Sequence, residues 1–172
     1  MVNKSRISAI FCYSSKYEEY INYVCNILKS IGITTRRWQK DYGNRISYYC
    51  DSLCYKELLP IKKYWYPNGE KIVPRDLELT PLTCRQWYIG DGTISHRYNR
   101  RPFIKLYTNG FTIPDVEWLI DKINKLGFKA TRQPIHNEIH ISSYSTKDFL
   151  NYIGKCPVKC YQYKFNYERG MV

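Results

Sequence analysis

The sequence predicts an α+β fold built from two related halves, and three observations carry this. Two stretches of the chain repeat one another with helical spacing. The segments around each copy alternate apolar and polar residues, the period of a strand with one buried face. Hydrophobic residues make up 44% of the 172 positions, enough for a real core and too many for global disorder.

The repeat sets the element order. Residues 23–33 (YVCNILKSIGI) parallel residues 118–128 (WLIDKINKLGF), each an amphipathic helix that stops at a glycine suited to a C-terminal cap. Upstream, residues 12–14 parallel 106–108 at the end of an alternating strand. Downstream, residues 34–40 parallel 129–133, and after a tight turn 45–49 parallel 138–142. A second helix is expected near Ser52 in one copy and near Ser145 in the other. Each copy reads strand, helix, strand, strand, helix. The second copy also has a preface, a helix from about Pro81 to Gly90 and a strand from about Thr93. The first copy would need its preface before residue 5, so the first half is expected to lack its leading helix and strand. The expected boundaries are 1–66 for the partial first half, 67–79 for a linker and 80–172 for the second half.

Charge narrows the partners. Lys and Arg total 27 against 15 Asp and Glu, a net charge of +12. That excess suits a polyanion, although it also keeps a basic protein soluble. Eighteen Tyr and four Trp interleave with these cations, a mixture that suits nucleic-acid surfaces or an aromatic core. No stretch reads as a signal peptide and no apolar run approaches about 18 residues, so no membrane partner and a reducing intracellular compartment (cytoplasm or a DNA-containing organelle) are expected. Of the seven Cys, Cys50 and Cys54 are four apart, as are Cys156 and Cys160. Without His at matching spacing, buried thiols are a better reading than zinc ligands.

The preface of the second copy carries the chemistry. Thr80 can cap the helix and Pro81 suits its first turn. Asp91 then falls at the C-terminal end, where the helix dipole disfavours a carboxylate unless a cation stands beside it. An ordinary Asp-Gly turn is the plainer alternative. Residues 65–80, Trp87-Tyr88-Ile89-Gly90-Asp91-Gly92, residues 108–111 and residues 161–165 together resemble the LAGLIDADG homing endonuclease family, in the form of a two-motif enzyme lacking its first motif. The resemblance runs over roughly residues 5–167. It implies two ferredoxin-like αββαββα halves with antiparallel DNA-binding sheets, whose motif helices pack at a pseudo-twofold axis. It further implies that one acid from the foot of each helix binds divalent metal, Mg2+ or another cation such as Mn2+, for two-metal phosphodiester hydrolysis. Asp91 matches one acid. Gly90 is placed with it at the metal and is the small residue that lets the helices approach. Lys164 matches a basic residue near the metal, and Lys71 holds the corresponding place after the first copy's second helix; both are expected to stabilise phosphate charge. Asp51 and Asp76 lie outside any such motif helix. The missing motif is therefore expected from a second chain, either another copy or a different polypeptide, or from an N-terminal segment not represented in this sequence.

A sheet with one face on helices leaves the other face free. Alternation assigns Lys105, Tyr107, Lys129, Thr131, Gln133 and His140 to the free face of the second half, together with Glu138. In the first half it assigns Thr34, Arg36, Trp38, Lys40, Arg45, Ser47 and Tyr49. The turn 96–101 adds Arg97, Arg100 and Arg101, expected against a phosphate backbone. A merely solvated sheet face would show the same pattern. The sequence thus points to site-specific binding and metal-dependent hydrolysis of double-stranded DNA. The alternatives are a catalytically inactive DNA-binding remnant, a maturase bound to intron RNA, or an unrelated basic α/β protein.

Overall fold

The computed structural model describes residues 8–168, and the chain divides into two compact units, 1–70 with 157–160 and 71–156 with 161–172. The segment ahead of residue 5, where a first preface was expected, lies outside the described residues.

Unit 1 runs β1 (Cys12–Ser15), α1 (Glu18–Ser30), β2 (Thr35–Asp41), β3 (Ile46–Ser52) and α2 (Leu58–Trp65). Its sheet is antiparallel in the order β1-β3-β2. Helix α1 starts with Glu18 and Glu19 and ends with Lys29, charges that complement the helix dipole. It stops because Gly32 takes φ +83. The Gly32 N–H donates to the Lys29 carbonyl (3.0 Å) and the Ile33 N–H to the Leu28 carbonyl (2.9 Å), the paired bonds of a Schellman cap. The core of this unit is small: Ile21, Cys25 and Leu28 of α1 against Cys50 of β3, flanked by Phe11, Tyr13 and Tyr48.

The second helix of this half does not start near Ser52. Ser52 still pairs with Thr35 in the ladder, and its hydroxyl accepts the Phe11 N–H (2.9 Å). Tyr55 then bridges Ala9 through two backbone hydrogen bonds of 2.9 and 3.0 Å, which keeps the chain extended. The helix begins at Leu58, putting Pro60 in its first turn, where a missing N–H costs nothing.

Unit 2 runs α3 (Pro81–Asp91), β4 (Gly92–Arg97), β5 (Arg100–Leu106), α4 (Ile113–Lys125), β6 (Ala130–Gln133), β7 (Glu138–Ile141) and α5 (Thr146–Ile153). Its antiparallel sheet has the order β4-β5-β7-β6. Helix α4 ends as α1 does: Gly127 has φ +91, Gly127 N–H donates to Asn124 (2.9 Å) and Phe128 N–H to Ile123 (3.3 Å). Ile104, Leu106, Ile139 and Ile141 are fully buried beneath α4 and α5, packed on Val116, Leu119, Ile123, Phe149 and Ile153. Each such Ile contributes roughly 1.5–3 kcal/mol of burial. Val73 and Leu79, within the stretch 67–79 expected as a linker, belong to this core.

Each strand of the three-stranded sheet has a counterpart in the four-stranded one. The counterpart of β4 is absent among the described residues, and β1 has β3 as its one strand neighbour in the sheet.

Candidate metal and nucleic-acid site

Thr80 caps α3 by accepting the Thr83 N–H (3.2 Å), and Pro81 opens the helix. Asp91 is its last residue and is exposed, as is Gly90. Asp91-Gly92 is not a turn. Gly92 is already in β4, paired with Leu106, and its φ of −113 is ordinary. Glycine is needed there for room: a Cβ would stand 2.3 Å from the Tyr88 ring and 2.5 Å from the Tyr88 carbonyl oxygen. The helix therefore passes straight into a strand, and the Asp91 carbonyl accepts the Tyr107 N–H at 2.7 Å.

A cation does stand at this helix end, Lys164, bonded to a backbone carbonyl. It is 7% exposed, and its Nζ donates to the Ile89 carbonyl at 2.6 Å. The Tyr161 ring lies 4.8 Å from the ammonium. In return the Tyr88 hydroxyl donates to the Lys164 carbonyl. Burial, first of all, pushes the Tyr88 phenol well above its usual range, so it stays a donor. Sequence reasoning missed Tyr88; its spacing of four from Gly92 was the available signal. Lys71 has a different partner, the Phe111 ring at 4.2 Å.

The outer face of the unit 2 sheet carries one row across four strands: Thr93, Lys105, His140 and Thr131 are in register. A cleft of about 640 Å3 opens on this face, lined by Arg97, Arg100, Arg101, Lys129, His140 and Tyr144 among others. Arg97 lies over the Phe103 ring (4.9 Å) and Arg101 over Tyr144 (5.2 Å), so aromatic rings hold both guanidiniums. The turn expected over 96–101 is only Tyr98-Asn99, with Asn99 at φ +51; Arg97 and Arg100 are paired strand ends. Gln133 is half-buried opposite Glu138, and Tyr107 is exposed just past β5. Glu138 is on the expected face but is 6% exposed, not solvated. Its carboxylate is covered by His140 Nε2 at 3.3 Å and Lys105 Nζ at 3.8 Å.

The outer face of the unit 1 sheet is organised by Trp38. In register it pairs with Tyr49, Arg36 with Asp51, and Lys40 with Ser47. The Trp38 and Tyr49 rings stack at 3.8 Å, 4° from parallel, and Trp38 Nε1 donates to Asp51 Oδ2 at 2.6 Å. Asp51, outside any motif helix, thus serves to fix the indole. Thr34 is exposed just ahead of β2, where its N–H meets the Tyr55 hydroxyl. Arg45 lies in the β2–β3 turn rather than on the strand, over the Tyr42 ring at 5.3 Å.

Among the described residues no group of three or more His, Cys, Asp or Glu is arranged to hold a metal. None of the seven cysteines is in a disulfide. Cys50 and Cys156 are buried, whereas Cys54 is exposed and Cys160 half-buried. No described helix is long and apolar enough to cross a membrane.

An antiparallel α+β unit with a motif helix ending in an acid, beside a basic sheet face, defines a class, and sequence comparison places the chain within it. The profile of the LAGLIDADG DNA endonuclease family matches residues 2–149; the chain belongs to that family. An uncharacterized protein of Methanocaldococcus jannaschii is 26% identical over 140 residues, covering 77% of this chain and 55% of the relative. A cytochrome b mRNA maturase of Debaryomyces hansenii is 32% identical over 80 residues, covering 45% of this chain and 29% of the relative. The chain thus spans about half the length, or less, of these curated relatives. Among solved structures, the homing endonuclease I-WcaI bound to its DNA recognition sequence matches with a TM-score of 0.76 at 18% identity, over 92% of this chain and 75% of that one. I-DmoI in complex with DNA and Mn matches with a TM-score of 0.55 at 13% identity, over 88% and 84%. The mixed α/β fold with two antiparallel sheets is that of these homing endonucleases.

Proposed function

We propose that this chain binds double-stranded DNA site-specifically through the outer faces of its sheets, and that it acts as a homing endonuclease or endonuclease subunit. The observation that carries this reading is the foot of α3: an exposed carboxylate, Asp91, on a helix end whose carbonyl charge is already compensated by buried Lys164. On this reading 80–172 is the half-domain that carries the motif helix, and 1–66 belongs to the other half.

Oxygen donors at a helix C-terminus suit a hard divalent cation in kind. Asp91 would hold Mg2+ or Mn2+, with the neighbouring Gly90 carbonyl as a second oxygen. Bound there, the metal supplies Lewis-acid stabilisation of the leaving oxygen and a water nucleophile at neutral pH. Lys164 positions the helix end and offsets its negative dipole. Arg97, Arg100, Arg101 and Lys129 hold phosphates, while Lys105, Thr131, Gln133 and His140 face base edges. In the other unit, Arg36, Lys40, Arg45, Ser47 and Tyr49 do the same around the fixed Trp38. Lys71 acts from the apolar shelf of the Phe111 ring. The second acid comes from outside residues 8–168: from another copy, a different polypeptide or a further N-terminal segment.

The test is magnesium-dependent cleavage by the purified chain on duplex DNA spanning its gene's insertion site, beside Asp91→Asn. Cleavage is expected to disappear in the variant while duplex binding persists. Cleavage that survives the substitution removes Asp91 from the site. A second reading, a maturase or non-cleaving remnant, is favoured by the similarity to the Debaryomyces maturase. It predicts tighter binding to intron RNA than to duplex DNA, insensitive to Asp91.

A further inference from the structure

Unit 1 contains a pair of sulfur atoms that the nuclease reading does not use. Cys25, in the middle of α1, and Cys50, on the central strand β3, face each other in the small core with Sγ atoms 2.8 Å apart. Cys50 is fully buried. Cys25 also lines a cleft of about 580 Å3 beside α1 and β2, whose rim includes Lys29 and Arg37. The Arg37 guanidinium is held there by the Asn22 side chain. Cys25 is 8% exposed and is the member of the pair on the wall of this basic cleft, while Cys50 is fully buried against it.

We propose that Cys25 and Cys50 form a thiol–disulfide exchange site, in which Cys25 attacks small anionic disulfides of the glutathione class that enter the cleft and Cys50 resolves the adduct into an intramolecular disulfide. The steps balance. Cys25 loses its proton to solvent and attacks one sulfur of the small disulfide, forming a mixed disulfide and releasing one small thiolate, which takes up a proton. Cys50 then loses its proton and attacks Cys25 Sγ, expelling the second small thiolate. Two protein thiols are oxidised and one small disulfide is reduced to two thiols.

The order of events follows from burial. Desolvation pushes the Cys50 thiol up to about 12, so it is a poor first attacker and acts only once an adduct stands against it. The cations at the cleft rim suit the carboxylates of an oxidised glutathione. The bond formed ties α1 to β3 across a loop of about 25 residues, a constraint on the unfolded chain that stabilises the folded one. The far face of β3 carries Ser47, Tyr49 and Asp51, so oxidation stiffens the strand on which the Trp38 stack rests. This inference stands apart from the nuclease reading, and its test involves no nucleic acid.

The full chain is incubated natively with oxidised glutathione, quenched, and mapped by mass spectrometry without reduction. The expected product is a Cys25–Cys50 crosslink in a protein lighter by two hydrogens, with a melting temperature raised by several degrees. Cys50→Ser should instead accumulate a stable glutathionyl adduct at Cys25, and Cys25→Ser should leave Cys50 unmodified. Modification confined to Cys12 and Cys54, with Cys25 and Cys50 recovered as free thiols from the wild-type chain, overturns the proposal. So does reaction of Cys50 in Cys25→Ser at the wild-type rate. The wild-type mapping decides the matter even where a serine variant folds poorly.

Discussion

The Lys164 ammonium donates a 2.6 Å hydrogen bond to the carbonyl of Ile89, two residues before Asp91 and 75 residues away in the chain. The last carbonyls of a helix have no partner within it and carry its negative end. A buried cation there satisfies one carbonyl and makes the end of α3 tolerable for an acid. Lys164→Met keeps the stem and removes the charge. It should destabilise the protein by about 1–3 kcal/mol, the cost of leaving a buried acceptor unpaired. Urea unfolding measures this, and an unchanged midpoint would show that the capping bond contributes nothing.

Gly92→Ala should be among the most damaging single-methyl additions in the chain. The new Cβ meets the Tyr88 ring at 2.3 Å and its carbonyl oxygen at 2.5 Å, and the carbonyl cannot rotate away. Overpacking of this kind costs about 1–3 kcal/mol or more. Gly110→Ala is the control: its nearest neighbour is the end of the Lys71 side chain at 3.9 Å. It should stay within about 0.5 kcal/mol of wild type. Thermal melts of the two variants side by side give the comparison.

Replacing Arg97, Arg100 or Arg101 by Ala tests the basic cleft. Removing one phosphate-binding cation should lower the slope of log affinity against log salt by about one, with little dependence on sequence. Duplex-binding titrations across a salt series measure it. A slope that stays constant through all three substitutions would place the phosphates elsewhere.

Trp38→Phe keeps an aromatic against Tyr49 and removes the indole N–H that holds Asp51. The destabilisation should be about 0.5–1.5 kcal/mol, toward the low end because the site is exposed. Trp38→Ala removes the stack as well and should cost more. Equal unfolding midpoints for the two variants would mean that the stack itself is energetically silent.

Glu19 gives a pH dependence. The backbone N–H of Lys159, and after it that of Cys160, hold its carboxyl below the ordinary 4.5. A depressed folded value means the contribution is present above 4.5 and is lost as the pH falls below it toward the folded value. The stability gap between wild type and Glu19→Gln should therefore be open near neutral pH and close on acidification. A gap that widens in acid would reverse the sign of this linkage.

Much of the fold was legible because local rules dominate it. The 3.6 period of residues 23–33 and 118–128, each ending on a glycine that must enter positive φ, marks α1 and α4 without reference to the rest of the chain. Alternation sorted Ile104, Leu106, Ile139 and Ile141 into the core for the same reason, since successive strand residues point to opposite faces. Local rules failed at Ser52, a residue equally able to cap a helix or close a strand, where the distant bonds to Phe11 and Thr35 decided.

By itself, the sequence determined the repeat, the basic excess and the acid at the end of α3, because periodicity, net charge and helix length need no partner. Tertiary structure alone decided that Lys164 compensates that helix end, that Glu138 is covered by Lys105 and His140, that Asp51 fixes Trp38, and that Cys25 meets Cys50. Each of these depends on strand register or on chain closure over many residues. A side chain's identity says which bonds it can make, while packing decides which group arrives to make them.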